Sequence, residues 1–124
     1  MESQFSVDVA PLSMNHYYRR GRFGGMYMSG QGRAYKETIS YLVKSKVKKM
    51  LVGDLGIDIV FHVPNLRGDG DNLLKAFIDS LQGIVFENDR QIKWYSFCVI
   101  LNKKNPHIDC RVWELPANWV DLRP

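Results

Sequence analysis

An alternating apolar run that stops at Pro64 and an amphipathic run that stops at Gly83 are joined in this chain by Arg67-Gly68-Asp69-Gly70-Asp71-Asn72. A strand that hands over to a helix through so acidic a connection restricts the fold. Carboxylates one residue apart repel each other unless a cation neutralises them, so the strand end and the helix start must meet where a cation can reach both. A third carboxylate, Asp89, returns beyond the helix, where the following strand can carry it back to the same end of the sheet. Lys75 lies one helical turn past Asp71, about 6 Å along the axis and on nearly the same face. Hard oxygen donors beside a cationic side chain are the parts that divalent-metal phosphodiester chemistry uses. In that setting the Asn72 amide can orient a ligand carboxylate. Asp69 and Asp71 also suit a turn and a helix N-cap, and Lys75 also suits a solvated helix face or an ion pair with Asp71 or Asp79. An EF-hand loop is excluded, because Leu73 stands at its third ligand position and no glutamate stands where its bidentate ligand belongs.

Periodicity places the rest of the chain around that connection. Phe5, Val7 and Val9 alternate with polar residues, which predicts a first strand over 4–10 whose partner is not its neighbour in sequence. Residues 12–33 show no clean period and read as a long loop or irregular hairpin, rich in glycine, arginine and tyrosine. From 34 to about 51, Ile39, Leu42, Val43, Val47, Met50 and Leu51 form a helical stripe, with Lys44, Lys46, Lys48 and Lys49 outside it. A strand over 55–63 precedes the acidic connection, and a helix over about 72–82, capped by Asp71, follows it with Leu74, Phe77, Ile78 and Leu81 as its stripe. Residues 91–101 and 107–114 read as a hairpin in which Leu101 faces His107 and therefore Cys98 faces Cys110. Residues 115–124, with Trp119, read as a tail that docks on the body. The expected architecture is α+β: one domain over 1–124, in two layers, with a mixed or largely antiparallel sheet and both helices on one face.

A chain of 124 residues with a formal charge of +4 and pI of about 9.1 suits a polyanionic partner without requiring one. No apolar run approaches the roughly 20 residues of a membrane span, and the N-terminus lacks signal-peptide character. A cytoplasmic protein with no membrane partner is therefore expected. The predicted hairpin makes a Cys98–Cys110 disulfide conceivable, and two reduced core residues are the other reading. No His or Cys at zinc-site spacing surrounds either cysteine. His16, His62 and His107 show no motif spacing, so each is read as structural or solvent-exposed.

Arg67, Asp69, Asp71, Asn72, Lys75 and Asp89 resemble, in order and spacing, the Arg, Asp-x-Asp-Asn, Lys and later Asp of the RusA family of Holliday junction resolvases. Pro11-Leu12-Ser13-Met14-Asn15 resembles that family's opening Pro-x-Ser-x-Asn element, and Gly32-Arg33-Ala34-Tyr35-Lys36 resembles the start of its first helix. The likeness covers essentially the whole chain. It implies a RusA-like fold and a homodimeric, Mg²⁺-dependent endonuclease, with Mn²⁺ as a substitute. Such an enzyme cuts four-way DNA junctions by paired phosphodiester hydrolysis to 5′-phosphate ends, in a bacterial cell or a phage-infected host. Asp69, Asp71 and Asp89 would then be catalytic metal ligands and Lys75 the catalytic lysine.

Arg19, Arg20, Arg22, Arg33 and Arg67 are candidates for DNA phosphates, with Tyr17, Tyr18 and Phe23 for base stacking, and a solvated loop is the competing reading. Trp94, Trp113 and Trp119 are assigned to core or dimer contacts. Two positions depart from the family pattern. Gly70 stands where a larger apolar residue is common and is expected to loosen the motif backbone, and Asn88 stands where an acid often precedes the final Asp. The alternatives are a nuclease for other branched DNA, or a DNA-binding recombination accessory protein with a silent or structural metal site.

Overall fold

The computed structural model describes residues 1–122, so Arg123 and Pro124, the end of the expected tail, lie outside the described residues. The chain runs β1 (Glu2–Val7), a single turn α1 (Met14–Tyr17), β2 (Tyr18–Arg20), β3 (Met26–Met28), α2 (Gly30–Lys44), β4 (Leu55–Val63), α3 (Gly70–Leu81), β5 (Ile92–Leu101) and β6 (His107–Glu114). Short 3₁₀ turns at Asp89–Gln91 and Trp119–Leu122 complete it. The main sheet has the order β1-β6-β4-β5 and is mixed: β4 runs parallel to β5 and antiparallel to β6, and β1 is antiparallel to β6.

One face of this sheet carries Val7, Ile57, Ile59, Phe61, Ile108 and Val112. These side chains are fully buried in one core with Ile39 and Val43 of α2 and Phe77 and Leu81 of α3. The expected α+β two-layer arrangement is the one seen, with α1 as a third, one-turn helix. The opposite face carries Ser6, Asp58, His62 and Asp109, which are exposed or half-buried.

The expected hairpin of β5 with β6 is not formed, because β4 lies between them. β4 buries every second side chain, and it reaches that burial by pairing along both edges: Phe61 stands opposite Ile108 on one side and Val99 on the other. The connection over 102–106 passes the end of β4, where the Asn102 N–H donates to the Val63 carbonyl at 2.8 Å. Cys98 therefore pairs in register with Val60 and Cys110 with Ile59, which places the two thiols on opposite faces of the sheet. Both cysteines are free, Cys98 exposed and Cys110 buried.

The region expected as an irregular hairpin is one, β2 paired with β3, with α1 in front of it. α2 begins earlier than periodicity suggests because Ser29 caps it, its hydroxyl accepting the Gly32 N–H at 2.8 Å. Gly32 is required there: a Cβ would run into the backbone carbonyl of Tyr17. α2 also stops at Lys44 rather than near 51, since Leu51 leaves the helical path to form a parallel bridge with Phe86, its N–H donating to the Val85 carbonyl at 2.8 Å. The expected docking of the tail is visible at Trp119, whose indole N–H donates to Asp54 at 3.1 Å. Trp94, Trp113 and Trp119 meet in one cavity on the outer side of the sheet, so Trp119 is seated at the edge of the body.

Candidate active site

The connection from β4 to α3 is built by two local devices. Asn65 accepts the Arg67 N–H on its side-chain oxygen at 3.0 Å, and Gly68 takes a φ of +86°, a value open to glycine. The chain then enters α3 at Asp69, which is the N-cap; Asp71, expected to cap the helix, lies within its first turn instead. The Asp69 side chain makes no capping hydrogen bond. Asp69, Asp71 and Asp89 are exposed, and among the described residues none of the three is in an ion pair. Two carboxylates at the start of a twelve-residue helix gain from its positive end, and the same end attracts phosphate.

Gly70 proves to be a packing position. A Cβ there would stand 2.9 Å from the Phe97 ring and 3.3 Å from Val99, so glycine lets the first turn of α3 settle against β5. The structure thus gives Gly70 a packing role that the sequence did not show. Asn88 caps the 3₁₀ turn that carries Asp89, accepting the Arg90 N–H at 2.9 Å and sharing a capping box with Gln91.

Lys75 and Asp89 line one cleft of about 620 Å³, together with Tyr18, Leu74, Asp79 and Tyr95. Asp89 is brought there by Gln82 at the end of α3, whose side-chain oxygen accepts the Asp89 N–H at 3.0 Å. Gln82 in turn donates to Asp79 at 3.2 Å, and Asp79 accepts the Tyr17 hydroxyl at 2.5 Å and lies 3.8 Å from the Lys36 ammonium. Sequence reasoning offered Asp79 only as an ion-pair partner for Lys75 and did not single out Gln82 or Tyr95. Only the three-residue spacing of Asp79 and Gln82 on one helix could have linked the first two. Burial, and then the hydrogen bond to Asp79, push the Tyr17 phenol well above its ordinary range. Burial and the Asp89 charge raise Tyr95.

Tyr17, expected to stack on bases, is fully buried and belongs to the core, whereas Phe23 stands 97% exposed in the β2–β3 turn. Asp79→Ala should lower the unfolding free energy by about 1–3 kcal/mol, because it orphans the buried Tyr17 hydroxyl; urea denaturation checks this.

Asp69 and Asp71 open α3, whereas Asp89 is tethered to Gln82 at its other end and leads into Ile92, which pairs with Leu55 at the far end of β4 from Val63. Because β5 runs parallel to β4, the strand does not carry Asp89 back to the end of the sheet where Asp69 and Asp71 stand. Among the described residues, the one group of three ligand-type side chains whose donor atoms lie within 4.8 Å of one another is His62, His107 and Asp109, elsewhere on the molecule. Asp69 and Asp71, one residue apart at the start of α3, offer hard oxygen donors that suit a divalent ion. Arg19, Arg20, Arg22, Arg33 and Arg67 are all exposed, and among the described residues none is paired with a carboxylate. Arg19 and Arg20 lie on β2 and Arg33 in the first turns of α2, so these cations remain available to an external polyanion.

Residues 8–112 match the family model described as Endodeoxyribonuclease RusA. The chain is similar to the crossover junction endodeoxyribonuclease RusA of Escherichia coli strain K12, 31% identical over 108 residues, which cover 85% of this chain and 89% of that protein. It is similar to the same extent to the crossover junction endodeoxyribonuclease of Enterobacteria phage 82. A third relative of that name, from Escherichia coli O139:H28 (strain E24377A), is 34% identical over 84 residues, covering 66% of this chain and 69% of the relative.

Proposed function

This chain belongs to the RusA family of endodeoxyribonucleases, and from that premise we propose that it resolves four-way DNA junctions by paired, divalent-metal-dependent phosphodiester hydrolysis. Mg²⁺ is the resident ion in this reading, Mn²⁺ substitutes for it, and the products carry 5′-phosphates. The observation that carries the proposal is the set of carboxylates around α3 that have no ion-pair partner among the described residues, with Lys75 and Asp89 sharing one cleft.

Asp69 and Asp71 would hold the ion together with Asp89, whose turn lies at the other end of α3 and would have to be brought to them, and carboxylate donors fit such an ion. When bound, the ion neutralises phosphate charge and lowers the pKa of the attacking water. The chain's own residues do the rest. Asn72, half-buried in the first turn of α3, orients a ligand carboxylate. Lys75 stabilises charge that develops on the phosphate in the transition state. Gln82 keeps the Asp89 turn in place through the Asp89 N–H, and the exposed arginines hold the flanking backbone.

Opposed strands need two sites, and a symmetric pair of chains supplies them. β5 supports that part of the reading. It is an edge strand of ten residues on which Trp94, Tyr95, Phe97, Ile100 and Leu101 are all exposed, and among the described residues no strand pairs with its outer edge. Such an edge invites another strand unless it is covered, and a second copy would cover it. Sedimentation equilibrium should give a mass near twice 14.4 kDa, and the double variant Phe97→Asp, Ile100→Asp should give the single-chain mass. A monomeric wild type would end the dimer assignment.

Catalysis is tested with a synthetic four-way junction in Mg²⁺, where symmetric nicks across the junction are expected. Equal cleavage of linear duplex would remove junction selectivity, and equal cleavage of forks would widen the substrate to other branched DNA. Specific junction binding without cleavage in either Mg²⁺ or Mn²⁺ would leave an accessory binding protein in its place.

A further inference from the structure

On the face of the sheet away from the helices, His62 of β4 stands directly opposite His107 of β6, and Ser6 of β1 stands opposite Asp109 of β6. The two imidazoles are stacked, with ring centroids 3.8 Å apart and planes 9° from parallel. Both direct Nε2 at one oxygen of Asp109: His62 at 2.9 Å and His107 at 3.5 Å. The other Asp109 oxygen accepts the Ser6 hydroxyl. His107 Nδ1 lies 2.8 Å from the Asn105 carbonyl, which can only accept, so Nδ1 carries the proton.

That last bond has a consequence for Nε2. With the proton on Nδ1, neutral His107 turns a lone pair toward a carboxylate oxygen that is also an acceptor. Two acceptors face each other only if a cation stands between them, and a metal ion or an added proton would serve. The spacing favours the metal. Ligands at the usual bond lengths of about 2.0–2.2 Å around a tetrahedral ion lie about 3.4 Å from one another, and the two Nε2–Oδ2 distances bracket that value. All three donor atoms fall within 4.8 Å of one another.

The surroundings fit as well. His107 and Asp109 each have an outer hydrogen bond of the kind that orients metal ligands, to the Asn105 carbonyl and from Ser6. Nδ1 of His62 is buried and, among the described residues, has no partner in either tautomer, so giving Nε2 to an ion adds no newly unmatched atom.

We propose that His62, His107 and Asp109 form a binding site for a borderline divalent transition ion of the Zn²⁺ class. Two imidazole nitrogens and one carboxylate select such ions over Mg²⁺, which prefers oxygen throughout. The site is separate from the aspartates around α3 and does not depend on their assignment. It joins β4 to β6, and through Ser6 to β1. His62 lies one residue before the end of β4, so the ion would stiffen the strand from which the connection to Asp69 departs.

The test uses the full chain, stripped with a chelator and titrated with Zn²⁺ by calorimetry. One equivalent should bind saturably and raise the thermal midpoint, and millimolar Mg²⁺ should not compete. Co²⁺ in the same site should give the intense visible spectrum of a four- or five-coordinate ion. His107→Ala alters the more accessible histidine, and circular dichroism checks its fold. It should weaken Zn²⁺ binding by at least about 100-fold, since losing a direct ligand costs no less than losing an outer-shell partner, whereas Asp71→Asn should bind as wild type. Unchanged affinity in His107→Ala would overturn the proposal. So would a wild type that binds no Zn²⁺ and whose imidazole ¹⁵N shifts show His107 doubly protonated, because a proton would then be the cation between Nε2 and Asp109.

Discussion

Replacing Asp71 with asparagine is expected to lower junction cleavage by about 10³-fold or more, equivalent to roughly 4 kcal/mol of transition-state stabilisation, while the variant still binds the junction. The substitution keeps the side chain's shape and removes one negative charge from the set that would hold the ion. Its structural cost is small. Asp71 is exposed and unpaired among the described residues, so what is lost is its favourable position at the start of α3, about 0.3–1 kcal/mol.

Binding survives because it rests on cations elsewhere, and removing a carboxylate from a polyanion's path, if anything, reduces repulsion. Gel-shift affinity in Ca²⁺ and single-turnover cleavage in Mg²⁺ separate the two effects. Cleavage by Asp71→Asn at the wild-type rate would sink the carboxylate site. Loss of binding and cleavage together, with an altered circular dichroism spectrum, would turn Asp71 into a folding residue.

Local patterns were legible where one residue type decides a local event. Pro64 and Gly83 bounded β4 and α3 to within a residue or two, and the alternation over 55–63 and 107–114 matched the strands β4 and β6. Pairing was not legible. The connection over 102–106 is compatible with a hairpin, and only the need of β4 for a neighbour on both edges sends β6 to its far side. That one choice separates Cys98 from Cys110 and brings His62 beside His107, so the same misplaced strand produced a conceivable disulfide and concealed a histidine pair.

Residue types and spacing put Asp69, Asp71, Lys75 and Asp89 forward as a candidate site. The link from Tyr17 through Asp79 and Gln82 to the Asp89 turn depends on where α1 packs, which no local period encodes. Gly70 shows the same limit, since its reason for being glycine is a ring on a strand that follows it by more than twenty residues.

Lys75→Ala should lower the rate of the chemical step by about 10²–10³-fold, the usual cost of removing one group aimed at developing charge, with little change in junction affinity. Lys75 is exposed on α3, so alanine, a better helix former, should leave the thermal midpoint unchanged or slightly raised. Its place in the cleft with Asp89 and Tyr95 separates it from the arginines on β2 and α2.

A lysine that only holds ground-state phosphate would raise KM and leave kcat alone, and would reduce the slope of log affinity against log salt by about one. A lysine that meets charge formed in the transition state lowers kcat and leaves that slope in place. Lys75→Arg sharpens the distinction. It keeps the charge but replaces a compact ammonium with a planar fork, so it should retain full binding and recover only part of the lost rate. Single-turnover rates at saturating enzyme, measured at several salt concentrations, decide between the two roles. An unchanged kcat in Lys75→Ala would remove Lys75 from the chemistry and leave it as a backbone contact.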